Sequence, residues 1–219
     1  MTHLLFHTRT DAGTQLGREL AALGLKEAPD TLVLGLVRGG IVVGAAIAEE
    51  LALPLHPYIV RKIGHPEDRE YALGAIAEGG STYMDDAAMR MSNVSWKKLE
   101  PVIEEEMQEL KRRRETYAIK PRPNTKGACV VLADDGAATG ATLFAAIQDL
   151  RKAGAGKIVV ALPVCPPDTA ETVRKMADTA VLLATPASFM TVGQWYRDFP
   201  QVTDEEVLRL LAEGHTISA

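Results

Sequence analysis

The chain has 219 residues, enough for one or two domains with a substantial core. With 47% hydrophobic and 24% charged residues, its composition is that of a globular protein and argues against a disordered or collagen-like chain. A net charge of −5 argues against a dominant basic face for nucleic acid, and no apolar run has the length of a transmembrane helix. The two cysteines, Cys129 and Cys165, are too few for a disulfide scaffold, so we expect buried free thiols in a cytoplasmic protein.

The first half of the chain predicts alternating helices and strands, followed by a long charged helix. Leucines at three- and four-residue spacing predict the first helix, and short apolar runs predict the strands. The predicted elements are helix 10–24, strand 31–37, helix 41–51, strand 55–60, a loop or mobile hairpin over 63–82, helix 95–117 and a linker over 118–127.

The second half repeats the alternation more clearly. Its predicted elements are strand 128–133, loop 134–142, a helix to about residue 152, strand 157–163, helix 169–176 and strand 180–183. Continuous apolar strands separated by helices predict a parallel sheet covered on both faces. The predicted fold is therefore a doubly wound α/β core formed by residues 1–82 and 118–219. Residues 83–117 are predicted to be an inserted helical segment that forms a small hood.

One segment carries most of the chemical information. A buried strand ends in Asp134 and Asp135, and a loop of Gly, Ala and Thr residues then leads into a helix. Small residues let backbone amides approach a phosphate, and a helix N-terminus directs amides towards it. Carboxylates repel a phosphate, so the two acids must face ribose hydroxyls or a metal ion. The segment therefore predicts a sugar-phosphate site, and it matches neither a Walker loop nor a dinucleotide fingerprint.

The thirteen residues Val130 to Thr142 resemble the phosphoribosyl-diphosphate (PRPP) signature of type I phosphoribosyltransferases. Arg38-Gly39-Gly40, after the first core strand, resembles the family's pyrophosphate loop. Arg61-Lys62 ends the next predicted strand, where the family often places a diphosphate-binding basic residue. The resemblance extends over most of the chain and is greatest to a bacterial group of phosphoribosyltransferases of unassigned substrate.

This resemblance implies transfer of the 5-phosphoribosyl group from PRPP to a base nitrogen, with Mg²⁺ assistance and release of pyrophosphate. Asp134 and Asp135 would hold the ribose hydroxyls, directly or through Mg²⁺. Lys62 would support catalysis by adding charge at the diphosphate. The implied 5-phosphate site comprises Gly136, Ala137, Ala138, Thr139, Gly140, Ala141 and Thr142. The implied diphosphate site comprises Arg38, Gly39, Gly40, Lys62 and Arg69, the last on a mobile loop over 64–80 that would close over the reaction.

The resemblance says less about the acceptor. Ala138 stands where enzymes for 6-oxopurines usually carry a third acid, which makes hypoxanthine and guanine less favoured acceptors. Phe189, Trp195 and Tyr196 lie where such enzymes place a ring that stacks on the base, although the same rings could simply anchor the C-terminal segment on the core. The resemblance also implies a homodimer.

Two further classes of function stay open at this point. Related folds serve as PRPP- or nucleotide-sensing regulators, and a degenerate core could bind nucleotides as a scaffold. A regulator of DNA or RNA would require a basic face or a winged helix, and the sequence shows neither. The intact acid pair and glycine turn favour the transferase.

Overall fold

A computed structural model describes residues 4–117 and 123–214, so part of the predicted linker over 118–127 lies outside the described residues. The chain divides into two compact units. The core unit is drawn from Met1–Tyr58, Pro123–Thr139 and Gly154–Ala219, and the second unit from Ile59–Arg122 and Gly140–Ala153.

The strands of the described residues are β1 (Thr31–Leu36), β2 (Leu55–Tyr58), β3 (Val60–Gly64), β4 (Ala72–Ala77), β5 (Thr82–Met84), β6 (Cys129–Ala133), β7 (Lys157–Val164) and β8 (Thr179–Ala184). The α-helices are α1 (Arg9–Ala22), α2 (Gly39–Leu51), α3 (Asp86–Ser92), α4 (Trp96–Thr116), α5 (Ala141–Lys152), α6 (Pro167–Met176) and α7 (Asp204–Gly214). None of the helices described is both long enough and apolar enough to cross a bilayer.

The core unit contains a five-stranded parallel sheet in the order β2-β1-β6-β7-β8. Its register aligns Val33 of β1 with Val131 of β6 and Val159 of β7, and all three side chains are fully buried. This confirms the predicted parallel α/β fold. Because the strands are parallel, the segments that follow β1 and β6 emerge at the same edge of the sheet.

The N-terminal and C-terminal segments of the core unit are joined through an aromatic cluster. The amides of Leu5 and Phe6 both donate to the carbonyl of Trp195, and the rings of Phe6 and Tyr196 lie 5.4 Å apart. The cluster also contains Ala12 of α1 and Val164 of β7. The beginning of α1 is therefore held beside the segment around residue 196.

The second unit is built on a three-stranded antiparallel sheet in the order β3-β4-β5, together with α3, α4 and α5. The predicted single strand over 55–60 is thus two strands, because β2 pairs with β1 while β3 pairs with β4. The region predicted as a loop or mobile hairpin contains β4, which pairs antiparallel with β3 and β5 and is almost wholly buried. Residues 83–117, predicted as an insertion, share this unit with β3, β4 and α5.

Buried polar contacts fix the second unit. Arg61 of β3 forms a 2.7 Å ion pair with Glu106 of α4. The buried carboxylate of Asp149 on α5 accepts hydrogen bonds from the amide of Gly79 and the hydroxyl of Ser81, in the turn between β4 and β5. These contacts attach both long helices of the unit to its sheet.

Both cysteines are free thiols, as the sequence predicts. Cys129 is partly buried at the start of β6, and Cys165 is fully buried directly after β7. Burial raises the pKa of the Cys165 thiol to about 11. This favours the unreactive thiol form at neutral pH.

Candidate active site

The centre of the candidate site in the core unit is formed where β1 and β6 end side by side. Arg38, Gly39 and Gly40 follow β1, and Asp134 and Asp135 follow β6. A Cβ atom at Gly39 would fall on the Asp135 carboxylate, and one at Gly40 would lie 2.8 Å from the Asp134 Oδ1 atom. The glycine turn and the acid pair are therefore in direct contact, and this closeness requires glycine at both positions of the turn.

Asp135 is held from several sides. Its Oδ2 atom accepts a 2.7 Å hydrogen bond from Arg9 Nε, and its backbone carbonyl accepts a 2.6 Å hydrogen bond from the Tyr196 hydroxyl. Burial raises the pKa of the Asp135 carboxyl, and the positive charge of Arg9 opposes that rise. The Asp134 Oδ1 atom accepts from the amide of Asp135, and a side-chain hydrogen bond with Asp134 is a smaller effect that lowers the pKa of the Asp135 carboxyl.

Arg9 is a site residue that sequence reasoning missed. It is the first residue of α1, and its side chain is only 9% exposed. Its Nη1 atom donates to the carbonyl of Pro200 at 2.7 Å, and its guanidinium lies 3.6 Å from the centre of the Phe199 ring. No signal in the sequence pointed to it, because its partner Asp135 lies 126 residues away along the chain.

The predicted 5-phosphate loop is divided at the unit boundary, with residues 136–139 in the core unit and residues 140–142 in the second unit. In the core unit, Gly136 has a φ of +150° and lies against Val192, while the Ala138 carbonyl accepts a 2.6 Å hydrogen bond from the Thr169 hydroxyl. In the second unit, Gly140 has a φ of +78° and precedes the first turn of α5. The amides of that first turn have no acceptor within the helix, which makes them available to an anion.

The diphosphate candidates lie in different surroundings. Arg38 in the core unit is 31% exposed in its side chain and lies 3.8 Å from the Asp204 carboxylate at the start of α7. The peptide bond between Val37 and Arg38 is cis. In the second unit, Lys62 is exposed on β3. Arg69 lies between β3 and β4 and forms an exposed 2.6 Å ion pair with Glu105 of α4.

The three aromatic candidates are not equally accessible. Trp195 and Tyr196 are 7% and 3% exposed, and Tyr196 is also held by its hydrogen bond to Asp135. Phe189 is only partly buried, with its ring 5.9 Å from that of Trp195. Trp195 and Tyr196 are therefore buried within the aromatic cluster, and Phe189 is the ring of the three that a ligand could reach.

The donor set of the acid pair is of a kind that can hold a magnesium ion. No group of three or more His, Cys, Asp or Glu side chains in the described part of the chain is arranged to hold a metal by itself. Mg²⁺ prefers oxygen ligands and is usually bound through one or two carboxylates together with substrate phosphates. The Asp134–Asp135 pair beside a predicted phosphate loop provides such ligands.

In parallel α/β sheets, ligands bind beyond the carboxyl ends of the strands, and the acid pair and the glycine turn lie at two adjacent strand ends of this kind. The fold and the site therefore define an α/β protein with a candidate ligand site at its strand ends. A sequence profile described as "Phosphoribosyl transferase domain" matches residues 10–186. The chain belongs to this phosphoribosyl transferase family, which confirms the resemblance found in the sequence.

Named relatives agree with this assignment. Two Mycobacterium tuberculosis proteins, from strains CDC 1551 and H37Rv, are each 42% identical over 212 residues and are named provisionally as phosphoribosyl transferases. The match covers 96% of this chain but 47% of each relative, so the chain spans about half the length of these proteins. The crystal structure of TT1426 from Thermus thermophilus is 40% identical, with a TM-score of 0.78, and the match covers 95% of this chain and 98% of that one.

Proposed function

We propose that this chain transfers the 5-phosphoribosyl group of PRPP to a nitrogenous acceptor, a nucleobase, and releases pyrophosphate with the help of Mg²⁺. The observation that carries the proposal is the contact of Gly39 and Gly40 with Asp135 and Asp134 at neighbouring strand ends. PRPP presents a diphosphate and two ribose hydroxyls close together on one sugar. An amide-rich turn beside two carboxylates supplies groups of complementary kind for both.

The proposed binding roles follow from the chemistry of each segment. Backbone amides of residues 136–142 hold the 5-phosphate, assisted by the hydroxyls of Thr139 and Thr142. The Arg38-Gly39-Gly40 turn holds the diphosphate, and Lys62 and Arg69 add positive charge. The acid pair faces the ribose hydroxyls, and Mg²⁺ bound there with PRPP would stabilise the charge that develops on the leaving diphosphate.

The chain's own contribution to catalysis is to hold the leaving group and to exclude water. As the bond to the diphosphate breaks, negative charge grows on that group, so donors and cations fixed around it stabilise the transition state more than the ground state. Arg69 takes part only after its ion pair with Glu105 opens. An exposed pair of this kind contributes only about 0–1 kcal/mol to stability, so opening it costs little free energy.

The acceptor site is proposed to lie beside Phe189, which can stack on a planar base. The alanine at position 138 supplies no carboxylate to a 6-oxopurine, and its carbonyl is engaged by Thr169. The proposal therefore favours adenine or a pyrimidine over hypoxanthine and guanine. The cytoplasmic location and the homodimer stay predictions from the sequence.

The decisive experiment measures pyrophosphate release from Mg-PRPP with adenine, guanine, hypoxanthine, xanthine, uracil and orotate. Thermal unfolding with and without Mg-PRPP is followed in parallel. Release with one base establishes transfer and identifies the acceptor. Stabilisation by PRPP without release from any base would favour the sensing regulator, and no response in either assay would contradict PRPP binding altogether.

The variant that tests the site is Asp134→Asn/Asp135→Asn. It removes both carboxylates, so the test does not depend on which of the two binds the ligand. We expect loss of both turnover and the PRPP-induced shift. Asp85→Asn/Asp86→Asn is the control, because it changes another adjacent aspartate pair at the start of α3 by the same charge. Should the unpaired Arg9 prevent folding of the first variant, adding Arg9→Met removes the buried cation. Retained turnover in a folded variant would contradict the proposed site.

A further inference from the structure

Arg9 and Asp135 form a largely buried ion pair, and Arg9 makes further contacts of its own. The two side chains are 9% and 15% exposed, and their contact spans 126 residues of sequence. Arg9 also donates to Pro200 and lies over the ring of Phe199. Buried ion pairs are weak sources of stability, because desolvation of both charges offsets their attraction. This pair therefore calls for an explanation in terms of the site beside it.

The ion pair lies against the turn that is proposed to hold the diphosphate. The Asp135 carboxylate touches the position of a Cβ at Gly39, and the Arg9 Nε atom would be 3.2 Å from the same position. A bare carboxylate there would repel a bound diphosphate, because like charges brought together at a binding site oppose binding. Arg9 cancels that charge and, through its contacts to Asp135 Oδ2 and the Pro200 carbonyl, fixes the direction of the carboxylate.

Asp134 shares a side-chain hydrogen bond with Asp135, and it differs from Asp135 in its other contacts. Its Oδ1 atom accepts from the amide of Asp135 and lies 2.8 Å from the Cβ position of Gly40. Arg9 directs its hydrogen bonds to the Asp135 carboxylate and to the C-terminal segment at Pro200. The two acids are adjacent in sequence but unequal in their surroundings.

We propose that Asp134 and Asp135 have separate roles, and that Arg9 is a positioning residue for the diphosphate turn. Asp134 is the acid that meets the ribose hydroxyls of PRPP. Asp135 is the internal counter-ion of Arg9, and together they hold the glycine turn and the segment around Tyr196–Pro200 in a form that accepts an anion. This inference rests on the proposed function and refines it.

The test compares the KM for Mg-PRPP and kcat across Asp134→Asn, Asp135→Asn, Arg9→Met and Arg9→Met/Asp135→Asn. Arg9→Met leaves a buried, unpaired carboxylate against the turn and should raise the KM roughly 10- to 100-fold, with a smaller change in kcat. Adding Asp135→Asn removes that charge, so the double variant should have a lower KM than Arg9→Met alone. Asp134→Asn should lose more PRPP affinity than Asp135→Asn.

Two further variants separate this role from a purely structural one. Arg9→Lys keeps the charge but loses the forked geometry, so its KM should lie between those of the wild type and Arg9→Met. Arg18→Met on the same helix removes an exposed arginine, and it should keep the wild-type KM. If Arg9→Met does not fold, the KM of the double variant and the difference in PRPP affinity between Asp134→Asn and Asp135→Asn still test the separate roles.

The outcomes distinguish this inference from the proposed function. Equal losses of PRPP affinity in Asp134→Asn and Asp135→Asn would overturn the separate roles alone. The same would follow if the KM of the double variant were no lower than the higher KM of its two parent single variants. A wild-type chain with no response to Mg-PRPP would overturn the proposed function and the inference together.

Discussion

Gly39 shows how a single missing side chain shapes the candidate site. Any Cβ at this position would fall on the Asp135 carboxylate, and that carboxylate is fixed by Arg9. The requirement for glycine arises from this close approach, because the backbone at Gly39 is not in the left-handed region. The turn can contact the acid pair only while position 39 has no side chain.

Gly39→Ala is therefore expected to affect both stability and ligand response. Overpacking of a buried contact costs about 1–3 kcal/mol, because neither the carboxylate nor the turn can move without breaking other contacts. We expect the free energy of unfolding in urea to fall by this amount and the Mg-PRPP thermal shift to be lost.

Gly127→Ala provides the control for this substitution. Gly127 has a φ of +76°, which strains an alanine, but no atom of the described residues lies within 4 Å of its Cβ position. This variant should lose about 1 kcal/mol of stability while keeping the PRPP-induced shift. Wild-type stability together with a wild-type shift in Gly39→Ala would show that the turn and the acid pair are not in contact.

At the scale of elements, the clearest predictions came from local patterns. The strand before Asp134 was predicted over 128–133 and is Cys129–Ala133, because an unbroken apolar run ends abruptly at two acids. β4 was predicted only as part of a loop or mobile hairpin over 63–82, although Leu73, Ile76 and their small neighbours are buried. Its glycine and the charged residues before it indicated a loop. Only pairing with β3 and β5, a tertiary effect, makes it a strand.

The candidate site was likewise predictable only where local sequence patterns define it. The glycine turn and the acid pair each follow an apolar strand, and parallel strands bring such segments to one edge. Arg9 could not be placed there from sequence, because its contact with Asp135 depends on how α1 packs and on the C-terminal segment around Phe199. Sequence patterns report contacts within an element far better than contacts across the chain.

The charged helix α4 gives a prediction about pH. Hydrogen bonds from Arg112, with a smaller contribution from Arg113, lower the pKa of Glu109 from 4.5 to about 2. A carboxyl whose pKa is lower in the folded state contributes stability above its unfolded value, and loses that contribution as pH falls from 4.5 towards 2. Two such helix pairs are worth about 0.4–1 kcal/mol in total.

The free energy of unfolding of Glu109→Gln should therefore be about 0.4–1 kcal/mol lower than that of the wild type at pH 7. This difference should shrink below pH 4.5. Urea unfolding followed by circular dichroism at pH 7 and at pH 3 measures this difference in stability. Glu115→Gln is the control on the same helix, since Glu115 forms no ion pair among the described residues. A Glu109→Gln deficit that persists unchanged at pH 3 would contradict an origin in the charge.

At the scale of the whole molecule, ligand binding and stability are linked. Any ligand that binds the folded chain and not the unfolded one stabilises it by about 2.7 kcal/mol at a hundred times its Kd. For a chain of this length, 1 kcal/mol corresponds to about 2–4 °C in Tm. Saturating Mg-PRPP should thus raise the Tm by about 5–10 °C.

Removal of the metal tests how the ion is held. The described residues contain no group of three metal-ligating side chains, so Mg²⁺ should bind appreciably only when PRPP supplies further oxygens. EDTA alone should therefore leave the Tm unchanged, while EDTA added to the PRPP complex should remove most of the shift. A Tm lowered by EDTA without PRPP would indicate a resident metal. A full shift with PRPP in EDTA would show that the acid pair binds the sugar directly and that Mg²⁺ is dispensable for binding.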